Sequence, residues 1–361
     1  MLTNFVASAD LRFKTQLSSL LDRGVISENI YKHFMKRGLK VISPSNDYGL
    51  YDLGEILPEI VIGASEEYIC KMNVPYQATS YIAARTGMSG KPTYIYKIND
   101  RPGGGVLSLT GGVRKLGDSL FASTHRILLG RKAMMISADN LVVNKEQIWN
   151  WQFFGNAIRE SHPNLYEDLI KLSDKIDKGP EFRQIVVARS DKTFRRLNIA
   201  DLCRRNQIKI LNPKHGIKIT FLTNKSGYEY ISKFLPESDL IEYITTGIRF
   251  DMYLAMIKIR KLHGIDMILN DGGRIMSNSV RDIGLLGEER ITLEPYPGDQ
   301  FIPHRFGSDP QNVLGVEGAG IDGGEIENGI KIHSTRIKDE MANVYLYPLQ
   351  EKTQNNFKIH Q

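Results

Sequence analysis

Residues 240–297 read LIEYITTGIRFDMYLAMIKIRKLHGIDMILNDGGRIMSNSVRDIGLLGEERITLEPYP. LIEYITTG has the composition of a strand, DMYLAMIKIRKLHG of a helix, and IDMILNDGG of a strand running into a glycine loop. IMSNSVRDIGL is then a second helix, and ERITLEPYPG a further strand. Strands that alternate with helices of roughly ten to fourteen residues imply parallel crossover units within one sheet.

The same rhythm extends upstream through RQIVVARS (strand), NIADLCRRNQ (helix), IKITFLTN (strand) and GYEYISKFL (helix). Before it, PTYIYKI and VLSL read as strands separated by the loop RPGGG, and TGGVRKLGDS is another glycine-rich loop. In HRILLGRKAMMISADNLVV the apolar run Ile127–Leu129 reads as a buried strand, stopped at Gly130 and leading into a short helical pattern. Residues 145–180 carry Trp149, Trp151, Phe153 and Phe154, then Leu165, Leu169, Ile170, Leu172 and Ile176 at helical spacing, and read as a helical insertion. Near the N-terminus Phe13, Leu17, Leu20, Leu21, Ile30 and Phe34 suggest two short amphipathic helices around Gly24. IKIHSTRIKDEMANVYLYPL, at 330–349, reads as a hairpin-like pair of strands closing the sheet edge. The expected organisation is an N-terminal extension over 1–88, one α/β domain over 89–350 with a central mixed sheet flanked by helices, and a tail over 351–361.

The composition narrows the class. The 361 residues carry 47 Lys+Arg against 41 Asp+Glu, a formal charge of +6, with 41% hydrophobic residues. That is a mildly basic globular chain, not a polycation, and its dispersed Lys and Arg argue against nucleic acid. No apolar run approaches the ~18–20 residues of a membrane span, and the start MLTNFVASADLRFK lacks a signal-peptide core, so a cytoplasmic protein is expected. Cys70 and Cys203 have no partner spacing, and the histidines show no i, i+4 pairing, so no metal is expected.

Two stretches carry ligand chemistry. Asn270-Asp271-Gly272-Gly273 follows the buried strand Met267–Leu269 and precedes a helix; it is either a tight βα turn or a place where backbone N–H groups meet a phosphate. Gly130-Arg131-Lys132 follows the other expected strand end and adds cations suited to a 2′-phosphate or diphosphate. Two such strand ends suit a dinucleotide better than a single phosphate.

The segment Leu240–Pro297 resembles the reductase domain of riboflavin biosynthesis, which shares the dihydrofolate reductase-like fold. Asp271-Gly272-Gly273, the helix Ile275–Asp282, Gly284-Leu285-Leu286-Gly287-Glu288-Glu289 and the strand Arg290–Glu294 keep that family's spacing, and the resemblance extends over about residues 91–350. It implies NADPH as cofactor, a dimer, and reduction of a ribosylamino-pyrimidine phosphate or related heterocycle. It further implies cofactor contacts at Gly130, Arg131, Lys132, Ser190, Asp271, Gly272, Gly273 and Arg274. Ser108-Leu109-Thr110-Gly111 stands where the family has Ser-Leu-Asp-Gly, and Arg189 stands where it has Asp. The zinc motifs of the often-fused deaminase have no counterpart in 1–90.

Hydride transfer needs an acid beside the reacting carbon, and Asp139, after the Gly130 turn, is the candidate; the alternative is a helix-cap aspartate. Ser108, Thr110, Arg114 and Arg189, in strand-end loops, are candidates for a phosphorylated or glycosylated substrate. RPGGGVLSLTGG is either a lid or a plain hairpin connection. The Trp149–Phe154 cluster is a packing patch, as at a dimer interface, or the roof of a planar substrate. The competing function is a catalytically altered relative that binds a nucleotide or pterin/pyrimidine ligand.

Overall fold

The computed structural model describes residues 73–86, 94–97, 125–148, 150–161, 163–176, 181–295, 330–337 and 340–347, with 40–41 and a few scattered positions before them. Its strands are β1 (Lys40–Val41), β2 (Tyr76–Thr86), β3 (Tyr94–Lys97), β4 (Ala133–Ser137), β5 (Arg183–Val187), β6 (Lys218–Thr223), β7 (Ile241–Thr245), β8 (Met267–Asn270), β9 (Leu286–Pro295), β10 (Ile330–Ile337) and β11 (Glu340–Leu346). The helices are α1 (Ala138–Val143), α2 (Trp151–Ser161), α3 (Pro163–Ile176), α4 (Asp191–Arg196), α5 (Ile199–Arg204), α6 (Lys225–Ile231), α7 (Met252–His263) and α8 (Gly273–Asp282).

All strands join one sheet in the order β1-β10-β11-β9-β2-β8-β4-β5-β6-β7, with β3 paired to β2. The run from β9 to β7 is parallel throughout, while β11 lies antiparallel to both β9 and β10. The fold is therefore α/β with a central mixed sheet flanked by helices, and the expected C-terminal hairpin is β10–β11. From β4 the chain steps outward to β5, β6 and β7; from β8 it steps the other way, past β2, to β9. Right-handed crossovers in opposite directions carry their helices to opposite faces, so a crevice opens where the neighbours β4 and β8 end.

On one face Ile136, Val186, Phe221 and Tyr243 meet Leu141 of α1, Phe194 of α4, Ile199 of α5 and Ile231 of α6 in a single apolar cluster. Phe221 stacks on Tyr243 at 5.4 Å and meets Phe194 at 6.1 Å, geometries that favour aromatic pairs beyond area burial. On the other face α7 buries Met252, Ala255, Met256 and Ile259. Asp251 caps its start by accepting from the Leu254 N–H, and Gly264 ends it at a φ of +63°, where a side chain is strained.

Two expectations change. Residues 125–130 are helical, and the strand is Ala133–Ser137. An apolar run without alternation reads alike as buried helix or buried strand, and the helix packs tightly where Gly130 lacks a side chain. A Cβ there would lie 2.9 Å from Met134 and 3.0 Å from Leu269. The domain also begins earlier than residue 89, because β2 fills the slot between β8 and β9. Residues 145–180 hold α2 and α3, as expected, and these form the crossover from β4 to β5. Of the expected helices around residues 13–34 only scattered positions, among them Leu21, are described, and these are helical; the strand at 106–109 and the glycine loops at 101–119 lie outside the described residues.

At the opposite, amino edge of the sheet, Glu242 gathers three partners: His263 Nε2 at 2.8 Å, Arg183 Nη1 at 3.0 Å and Thr220 Oγ1 at 3.1 Å. The His263 contact, ahead of the charge of His263 and Arg183 and the Thr220 hydroxyl, holds the Glu242 carboxyl below the usual carboxylate range against the opposing effect of burial. A lowered folded pKa gives stability that is present above the unfolded value, about 4.3, and is lost as pH falls through the folded one. Glu242→Gln should therefore cost about 1–2 kcal/mol at pH 7 in urea unfolding. The gap from wild type should narrow as pH falls below the unfolded value, about 4.3, and close only once pH has passed the lower folded value, where both side chains are neutral; a gap independent of pH would refute this role for the carboxylate.

Candidate functional site

The carboxyl ends of β4, β5 and β8 bring the site together. Beyond β8 the Asp271 N–H donates to the Met135 carbonyl at 2.8 Å, which carries the pairing with β4 one residue further. Asn270 Oδ1 accepts from the Gly272 N–H at 3.1 Å, and Thr79 Oγ1 donates to the Asn270 carbonyl at 2.9 Å. Gly272 begins α8 with no side-chain cap, so N–H groups of the first turn are left to other acceptors. A Cβ on Gly272 would lie 1.5 Å from the terminal methyl of Met276. Its bare backbone thus seats Met276, a reason for glycine distinct from phosphate approach.

Asp271 is bound from two sides. Arg126, in the helical turn 125–130, donates to its Oδ2 from Nε at 3.3 Å and Nη2 at 3.0 Å, in a pair only 8% and 12% exposed. From across the crevice Asn140 Nδ2 donates to the Asp271 carbonyl at 2.9 Å. Asn140 is in place because Ser137 Oγ caps α1 by accepting its N–H at 3.1 Å. The cap is therefore Ser137 and not Asp139. Both oxygens of Asp139 instead accept from Arg196 Nη2 of α4, at 2.8 and 2.9 Å, an arrangement suited to positioning rather than to proton delivery.

Next along the edge, Arg189 Nη2 donates to Ser279 Oγ of α8 at 2.7 Å and bridges the β5 loop to the opposite layer. Ser190 is the N-cap of α4, but its side chain makes no cap hydrogen bond. Asp191 behind it accepts from Ser226 at 2.9 Å and Arg195 at 3.2 Å; the Ser226 hydroxyl is the main reason its carboxyl lies below the usual range. Thr223 Oγ1 at the end of β6 and Asn270 Nδ2 at the end of β8 are buried donors without a partner among the described residues.

Of the residues singled out in the sequence, Asp139, Arg189, Ser190, Asp271, Gly272 and Gly273 share this edge. Arg274 lies in the first turn of α8, and its side chain is outside the described residues, as are Ser108, Thr110 and Arg114. Gly130, Arg131 and Lys132 lie elsewhere: they end a helix and precede β4, at the amino edge, where the Lys132 carbonyl accepts from the Arg183 N–H at 2.9 Å. Arg131 pairs with Asp174 of α3 at 2.5 Å, donates to the Ile170 carbonyl at 3.2 Å, and its guanidinium sits 5.5 Å from the Trp151 ring; Lys132 is 4.0 Å from the same Asp174. These cations dock α2 and α3, and they are not at a strand's carboxyl end. Burial pushes the Cys203 thiol up to about 11, which makes it inert at neutral pH. No metal-ligand cluster occurs among the described residues.

The sequence reading gave Arg126, Asn140 and the run Glu288-Glu289-Arg290 in β9 no role of their own, although all three members of that run are fully buried. Glu289 is satisfied by Arg281 and by the Tyr347 hydroxyl, and Glu288 by Arg290 Nε and the Tyr76 hydroxyl. Three successive charges inside a strand bounded by Leu285, Leu286 and Ile291 were the available signal.

No protein-family model and no curated protein sequence matches the chain. Among solved structures, Acinetobacter baumannii RibD is similar over 78% of this chain, at 12% identity and a TM-score of 0.43, and this chain spans 60% of its length. The Saccharomyces cerevisiae riboflavin biosynthesis reductase Rib7 is similar over 76% of this chain and 90% of its own, at 9% identity and a TM-score of 0.36. A pyrimidine reductase-like protein of Corynebacterium diphtheriae is similar over 78% of this chain and 98% of its own, at 11% identity and a TM-score of 0.40.

Because Arg131 is engaged by Asp174, Arg131→Ala should lower stability by about 0.5–1 kcal/mol, the range of partly exposed ion pairs, and, if wild type binds NADPH, should leave that affinity within about twofold. Fluorescence titration and thermal unfolding measure the two effects. A tenfold loss of affinity without destabilisation would return Arg131 to the nucleotide site.

Proposed function

We propose that the chain is an NADPH-dependent reductase, which transfers hydride to a sugar or imine carbon of a phosphorylated or glycosylated heterocycle such as a ribosylamino-pyrimidine phosphate, and that it works as a cytoplasmic homodimer. The observation that carries this reading is the crevice where the crossovers from β4 and β8 diverge, with strand, Asp271-Gly272-Gly273 and α8 at its lip. Open α/β sheets take their ligands at this kind of position. The sequence resemblance over Leu240–Pro297 falls on the same elements.

The chain's own groups suit a dinucleotide. Backbone N–H groups of Gly273 and Arg274 at the start of α8 serve a diphosphate, with Gly272 and Asp271 setting the turn. Asn270 Nδ2 and Thr223 Oγ1 are buried donors with no partner among the described residues, at the ends of β8 and β6. Ser190 lies between, toward the adenosine end, and Arg189 supplies a cation. NADPH, when bound, supplies the hydride. Ser108, Thr110 and Arg114 remain substrate contacts in this reading. Asp139 holds Arg196, and through it α4, at the border of the crevice. That engagement favours a second reading, a nucleotide-binding relative without turnover.

Ser190→Asp tests the site without disturbing the core, since Asp is a good N-cap but repels a phosphate. NADPH should bind wild type more tightly than NADH does, and the variant should lose tenfold or more at unchanged melting temperature. Failure of both cofactors to bind would overturn the assignment. If NADPH binds, its absorbance loss with the ribosylamino-pyrimidine phosphate separates an enzyme from a binding relative.

A further inference from the structure

Arg290 is the bulkiest fully buried side chain among the described residues. Its neighbours along β9 show what it is not needed for. Glu289 projects to the α8 side, where Arg281 and Tyr347 complete it. Glu288 and Arg290 project to the opposite side, where Arg290 Nε donates to Glu288 Oε1 and the Tyr76 hydroxyl donates to Oε2 at 3.3 Å. The Glu288 charge is thereby met through one nitrogen of the guanidinium. Nη1 and Nη2, with four N–H donors between them, have no acceptor among the described residues. Leaving such donors unmet in the interior costs several kcal/mol, more than a merely structural ion pair returns.

The register says where Arg290 stands on the sheet. Thr79 of β2 is opposite both Glu289 and Asn270, the last residue of β8, and Ser80 is opposite Arg290. Arg290 is therefore one residue beyond the end of β8, level with Asp271 and two strand spacings, roughly 10 Å, from it. It is on the face that carries the helical turn 125–130, whose Gly130 rests on Leu269. A guanidinium held rigidly along one edge presents its other edge as a fork matched to two oxygens of one anion.

We propose that Arg290 is an oxyanion receptor on the β9 side of the crevice, binding a phosphate or carboxylate group of the ligand through Nη1 and Nη2, with Glu288 and Tyr76 fixing its orientation. This does not depend on the identity of the cofactor.

The probes are inorganic phosphate and acetate, each compared with chloride at constant ionic strength by thermal shift and calorimetry. Wild type should be stabilised by at least one of the two. A response to phosphate alone assigns a phosphate-bearing ligand, and an equal response to acetate a carboxylate. Glu288→Gln/Arg290→Met, which removes both charges together, should bind the effective anion at least tenfold more weakly. Arg290→Lys keeps the charge and loses the fork, and should weaken binding at least fivefold; it decides the matter if the double variant does not fold. Absence of any response in wild type beyond chloride, or an undiminished response in the variants, overturns the proposal. NADPH titration of the same proteins keeps the two readings apart: an Arg290-dependent anion response in a chain that binds no nicotinamide cofactor would refute the reductase reading alone.

Discussion

The contact between β8 and β4 carries the rest of the architecture, because it joins the two strands whose onward paths part. It is short: Met134 and Met135 stand opposite Leu269 and Asn270, and the Asp271 N–H adds a bond to the Met135 carbonyl. Side chains then reinforce it where the ladder ends, with Asn140 reaching the Asp271 backbone from α1 and Arg126 holding its carboxylate from the helix before β4. Polar ties of this kind fix an edge that apolar packing leaves open, because α1 and α8 depart to opposite faces. The crevice is therefore a consequence of topology, and the Asp271 backbone and carboxylate tie its two sides together.

The sheet divides into two chemical halves around that junction. Toward β7 the inner positions are Ile, Val, Phe and Tyr, and the layer of α1 and α4–α6 closes over them as an ordinary apolar core. Toward β9 the buried positions include Gln77, Thr79, Asn270, Glu288, Glu289 and Arg290. Burying charged groups is costly unless every member is paired, so the first half supplies stability and the second half carries most of the polar chemistry. The crevice lies at the boundary between them.

Elements whose partners are near in sequence were legible. Every strand between residues 183 and 295, and every helix except the short α4, follows from local pattern, because each crossover buries an apolar stripe against the strand just before or after it. Legibility failed where the partner is remote. Thr79 meets Asn270 across 191 residues, and YQATSYIAART has too few apolar residues to announce a central strand. The exchange of helix and strand around Gly130 has a related cause: Ile127–Leu129 and Ala133–Ile136 are both continuously buried, and only the sheet's neighbours decide which one pairs.

Sequence alone determined the class of fold, the crossover rhythm and the strand, acid, paired-glycine and helix unit at Asn270–Gly273, since all of these depend on residues within a few turns of one another. Tertiary structure alone decided which charges face one another. It assigned Arg131 and Lys132 to Asp174, Asp139 to Arg196 and Asp271 to Arg126, and it enclosed Glu288 and Arg290. A charge is specified by what surrounds it, and for these residues the surroundings arrive from strands and helices far along the chain.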